Sequence, residues 1–185
     1  MIITVLRRLF LASLALFALP AQAEIAGRKT VYLHPVSGDP LAIGTVTLVR
    51  DGAGWTFDVA LAPEKFEDHF LSMRPFKCLE GDTRYLCHLP YPYAKGQRIT
   101  ANDLTDLEYE FLFIWKAPTD YGIDMWNGVY YRLALAQDRL IGRVHEVNMD
   151  LLASPPEDRT TRPITEGDLE PGEPASHWLP MLTIE

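Results

Sequence analysis

The sequence predicts an all-β protein, a single antiparallel barrel or sandwich. Three observations carry this. Apolar and polar residues alternate through the middle of the chain, turn signals separate the alternating runs, and helical periodicity is scarce.

Taken in order, "IGTVTLVR" (43–50) and "WTFDVAL" (55–61) read as two strands. Trp55, Phe57, Val59 and Leu61 share one face of the second, and "DGAG" between them carries the Asp-Gly signal of a hairpin turn. "LEYEFLFIW" (107–115) alternates as well, with Leu107, Tyr109, Phe111, Phe113 and Trp115 on one side. Leu112 and Ile114 on its other side imply burial on both faces near the end of that strand. Asn127-Gly128 is the strongest hairpin signal and joins "GIDMW" to "VYYRLAL"; Gln137-Asp138 then turns into "RLIGRVHEV". Gly142 in that last run suggests a bulge or bend. Helical signals reduce to a turn or two near Asp103 to Leu107 and near Asp150 to Ala153.

After Leu152 the composition changes. Six prolines fall in "ASPPEDRTTRPITEGDLEPGEPASHWLP", so residues 154–185 read as an extended acidic segment of the same domain. The apolar ending "HWLPMLTIE" implies that this segment wraps the domain and docks Trp178, Met181 and Ile184, as an edge strand if it forms one. The domain proper is expected over residues 24–153. In architecture alone it resembles a small lipocalin-like up-and-down barrel, and a fold analogy of that kind carries no function.

The N-terminus sets the expected compartment. Arg7 and Arg8 precede an apolar run from Leu9 to Leu19, Pro20 breaks it, and Ala21-Gln22-Ala23 places a cleavage site before Glu24. Residues 1–23 therefore read as a signal peptide, and the expected product is a soluble periplasmic or secreted protein without membrane insertion. "RRLFL" also resembles a twin-arginine signal, although Leu6 and Ala12 depart from its pattern, so both export routes stay open. Once residues 1–23 are removed, 15 basic residues face 25 acidic ones, a formal charge of −10. The basic residues are scattered singly, which argues against nucleic acid and against an anionic membrane surface.

Cys78 and Cys87 are the only cysteines, and an exported chain with one pair implies a disulfide. If Asp82 and Thr83 centre a hairpin loop, the two fall opposite each other at a non-hydrogen-bonded position, where the strands are closest. A turn on Gly81-Asp82 instead would offset them by two residues, about 7 Å apart or more. Consecutive Cys87 and His88 point to opposite strand faces, so a metal site is disfavoured, and no C-x-x-C motif suggests redox catalysis.

No phosphate-binding glycine loop, nucleophile elbow or H-E-x-x-H pattern is present, and Ser37, Ser72, Ser154 and Ser176 lie in no nucleophile context. His145-Glu146 face apart on a strand, and the group Glu64, Glu67, Asp68 and His69 reads as a solvated face. The candidate site is aromatic. Tyr91 and Tyr93 sit between prolines, while Tyr121, Trp126 and Asn127 lie in a second loop. Together with Arg98 they would rim a cleft for a small or flat ligand, with no cofactor. The expected function is a non-catalytic binding module. An envelope protein-interaction or structural role, through a sheet edge or the acidic C-terminal segment, is the alternative, and a hydrolase with an unrecognised acid/base site is a third. Oligomeric state is not set by the sequence.

Overall fold

The computed structural model describes residues 25–71, 75–92, 95–153, 156–158 and 161–185. The expected signal peptide therefore lies outside the described residues.

Twelve strands join in one antiparallel sheet among the described residues. They are β1 (Gly27–His34), β2 (Leu41–Asp51), β3 (Gly54–Leu61), β4 (Glu67–Phe70), β5 (Pro75–Glu80), β6 (Tyr85–His88), β7 (Arg98–Thr100), β8 (Phe113–Lys116), β9 (Gly128–Ala136), β10 (Arg139–Val147), β11 (Glu170–Pro171) and β12 (Met181–Ile184). The spatial order is β4-β5-β6-β8-β9-β10-β12-β1-β2-β3-β7, with β11 added to β10. The all-β expectation holds. The sheet does not close, however, because β4 and β7 are left as its two edges. A complete up-and-down barrel is thus not what forms.

The sheet curls around one core. Inward residues of β1, β2, β3, β9, β10 and β12 meet Leu79, Leu86, Ile99 and Phe113 in a single apolar cluster. Trp55 and Phe57 belong to it, as the alternation in β3 requires. A second cluster covers the outer face of β5, β6, β8 and β9 and includes Leu112, Ile114, Tyr130, Met149 and Ile164. Burial on both faces of β8 follows the sequence reading of Leu112 and Ile114.

Three local expectations are corrected. The run 107–115 is not one strand: α1 (Thr105–Glu108) and a 3-10 turn over Tyr109–Phe111 precede β8. Leu104, Leu107 and Phe111 all enter the main core, an i, i+3, i+7 spacing that suits a helix, and Leu107 and Phe111 alone, four apart, also fit alternation. Asn127-Gly128 makes no hairpin. Met125–Asn127 is a 3-10 turn whose Trp126 N–H bonds the Asp124 carboxylate at 3.0 Å. Gly128 serves packing instead, since a Cβ there would collide with the Val147 carbonyl oxygen. Gly142 lies in unbroken register with Leu133 and Leu182, and the sheet's irregularity falls between Val31 and Tyr32 on β1, opposite β2.

The cysteine hairpin takes the first register. Cys78 pairs directly with Cys87, their Cα atoms 3.9 Å apart and disulfide-bonded, and the Gly81 N–H bonds the Arg84 carbonyl at 3.0 Å. At its C-terminus the chain does more than cover an edge. β12 runs in the interior of the sheet between β10 and β1, and Pro180 precedes it, its carbonyl accepting from the Val144 N–H at 3.0 Å. Ile184 is buried, Trp178 packs on the main core, and Met181 is half-buried.

Candidate functional site

β8 is too short to cover β9. It pairs only with Gly128 and Val129, so from Tyr131 onward no strand among the described residues lies on that side of β9. α1 occupies the vacant place and touches both β9 and β7. The open stretch of β9 and the free end of the sheet at β7 therefore lie on either side of α1, along the seam where a barrel would have closed.

Glu108, at the end of α1, is buried at this seam. Its Oε1 accepts the Leu133 N–H at 2.7 Å, and its Oε2 accepts the Tyr130 hydroxyl. The carboxylate thus stands where the carbonyl of a neighbouring strand would stand. Burial pushes its proton affinity above the ordinary carboxylate range, against the opposing pull of its two donors. Burial, then the nearby Glu108 charge, likewise pushes the Tyr130 phenol well up.

A cavity of about 510 Å³ opens over this group. Asn102, Asp103, Leu104 and Thr105 line one side, Tyr130, Arg132 and Ala134 of β9 another, and Ile164, Thr165, Glu166 and Leu169 a third. The third wall is pinned at several points. Ile164 donates its N–H to the Tyr109 hydroxyl at 2.8 Å, Arg132 pairs with Glu166 at 2.7 Å, and Asp168 accepts from the Thr165 N–H at 2.8 Å. Arg162 forms an ion pair with Asp106 beside it. The lining is predominantly polar, with more carboxylates than cations.

The residues singled out in the sequence are placed elsewhere. Tyr91 is buried and packs edge-on against Tyr109, ring centroids 4.7 Å apart, so it belongs to the second core. Tyr93 lies outside the described residues. Arg98, on β7, donates to the Asp51 carbonyl at 2.9 Å and pairs with the Asp51 carboxylate. Tyr121 and Trp126 are fully and largely exposed (106% and 71%), and Asn127 donates its N–H to the Asp124 carbonyl at 3.0 Å. None of these five described residues lines the seam cavity, the small space beside Trp178 or the grooves flanking residues 171–178.

That small space lies inside the curled sheet, beside Trp115, Tyr131 and Trp178, and measures about 10 Å³, too little for a ligand. The two grooves flanking residues 171–178 are open at the surface, with volumes of about 570 and 680 Å³. Among the acidic and histidine groups, His69 bonds Glu80 at 2.8 Å and Lys77 pairs with Asp68 at 2.8 Å. Glu146 is held by buried His177 at 2.9 Å. The described residues contain no group of three metal-ligating side chains, and no helix among them is long and apolar enough to cross a membrane.

Glu108, Arg132 and Glu166 escaped the sequence reading, whereas Tyr130 belongs to the aromatic run 115–131 that the sequence marks as a candidate cleft lining. One signal pointed to the first: Glu108 shares its side of the run with Leu112 and Ile114, and a carboxylate among residues buried on both sides needs donors of its own.

No protein-family model matches the chain, and no curated protein or solved structure proves similar to it.

Proposed function

We propose that the protein is an exported, non-catalytic binding module whose ligand lies in the seam cavity between β9 and the Asn102–Thr105 turn. The observation that carries this reading is the open stretch of β9 beside a 510 Å³ polar cavity, walled by side chains from three separate parts of the chain. A cavity of this size, with convergent polar groups and a buried carboxyl of raised proton affinity, has the attributes of a binding site. Both Glu108 oxygens already accept hydrogen bonds, which favours a positioning role over acid/base chemistry. The Cys78–Cys87 disulfide fits an oxidising compartment, and the apolar leader of residues 1–23 supplies a route to it.

The test is an NMR screen of the ¹⁵N-labelled protein with small sugars, amines and dipeptides. Binders are expected to shift the amides of Asn102, Thr105, Leu135 and Thr165 together. Shifts confined to the grooves beside residues 171–178 would reject the seam as the site.

A further inference from the structure

The seam offers main-chain groups as well as side chains, and the register says which ones. β9 and β10 are joined by the two-residue loop Gln137-Asp138, with Ala136 opposite Arg139. In such a hairpin the residues flanking the loop form a hydrogen-bonded pair, and the pattern alternates from there. Ala134, Arg132 and Tyr130 accordingly turn their N–H and C=O groups toward β10. Leu135, Leu133 and Tyr131 turn theirs away from β10, toward the seam. Two contacts agree with this assignment: Val129, next in the series, pairs with Phe113 of β8, and the Leu133 N–H is the one that reaches Glu108.

Glu108 satisfies one donor of this edge and leaves its neighbours. The Leu133 carbonyl and the N–H and carbonyl of Leu135 have no strand beside them among the described residues, and the cavity runs along both residues. An extended polypeptide is the ligand whose own N–H and C=O groups repeat at the matching spacing. Charge narrows the choice further. Arg132, the one cation lining the cavity among the described residues, and Glu166 neutralise each other, which leaves the carboxylates of Asp103 and Glu108 in excess. Side chains reaching in from an added strand would meet an acidic surface, which selects lysine or arginine.

We propose that an extended, lysine- or arginine-bearing segment of a partner polypeptide adds as a short strand to β9 at Leu133–Leu135, filling the seam cavity. The proposal rests on the seam being the binding site and names the class of ligand it takes. Glu108 keeps its bond to Leu133, so the added strand engages the Leu133 carbonyl and both main-chain groups of Leu135.

The test uses three capped heptapeptides and the full exported chain, labelled with ¹⁵N. The first alternates valine and lysine, the second replaces lysine by glutamate, and the third repeats the first with alternate amides N-methylated. The first should shift the Leu135 amide strongly and slow its hydrogen exchange, with the Leu133 amide moving little. The second and third should bind at least about tenfold more weakly. Asp103→Asn should narrow the preference for lysine over glutamate while the hairpin amides stay unmoved. Equal binding of the methylated peptide would overturn strand addition, and equal binding of the glutamate peptide would overturn the charge assignment. A concentration-dependent shift of Leu135 in the protein alone would assign the edge to a second copy of the chain and overturn a foreign partner. If small compounds move the seam amides and no peptide does, the peptide class fails and the binding site stands. If neither moves them, both fail.

Discussion

Removing the Glu108 side chain leaves the Tyr130 hydroxyl and the Leu133 amide without their partner inside the protein. Glu108→Ala should therefore cost about 2–4 kcal/mol in urea unfolding, the penalty of stranding two buried donors. A loss under about 0.5 kcal/mol would mean that water replaces the carboxylate freely. Glu108→Gln probes the charge separately. Burial raises the proton affinity of the Glu108 carboxyl above its ordinary pKa of 4.5. Its contribution to stability is fully present below about pH 4.5 and is lost as the pH climbs through the raised value. The glutamine variant lacks this loss, so its stability relative to the parent should rise steadily from acid toward neutral pH. A difference that shrinks over that range would contradict the assignment. The disulfide makes an independent prediction at the same scale. Replacing Cys78 and Cys87 together by alanine should lower stability by about 2–3 kcal/mol, from the loss of a closed loop of about ten residues. An unchanged unfolding midpoint would show that the cross-link does not constrain the unfolded chain.

At the scale of elements, β12 and β8 have consequences out of proportion to their length. β12 holds β10 and β1 together from the interior of the sheet. Deleting residues 181–185 should abolish cooperative unfolding, whereas loss of a true edge strand would only lower the midpoint; circular dichroism melts separate the two. Sequence legibility divides along similar lines. The β2–β3 hairpin is readable because its Asp-Gly turn fixes pairing locally; for β5–β6 two turns compete in the sequence, and the disulfide selects the one that sets Cys78 opposite Cys87. α1 is not readable in this way, because Leu107 and Phe111, four residues apart, satisfy alternation and helical spacing at once. Asn127-Gly128 misled for a different reason. Its glycine answers to the close approach of Val147, a contact nineteen residues away that no local pattern records. Pro180 suggested an edge for the last strand, yet it stands just outside β12, where its missing N–H costs the ladder nothing.

For the whole molecule, the defining feature is a sheet that curls far enough to enclose a core and stops short of closure. Its interior is filled by Trp55, Tyr131, Phe113 and their neighbours, so a ligand has to be held at the seam or on the surface. The seam is assembled from α1, β9 and residues 164–169, segments that meet only when the fold is complete. That is why the aromatic loops, conspicuous in the sequence, drew attention away from Glu108, Arg132 and Glu166. The central claim is that this seam holds the ligand. The most direct measurement compares native and denatured masses of the protein purified from the cells that make it, alongside Ala134→Trp, which places a large ring on the exposed cavity face of β9. Extra mass is expected in the native spectrum of the parent and none in that of the variant, with both proteins folded. The same excess of native over denatured mass in both proteins, whether zero or not, would contradict the claim.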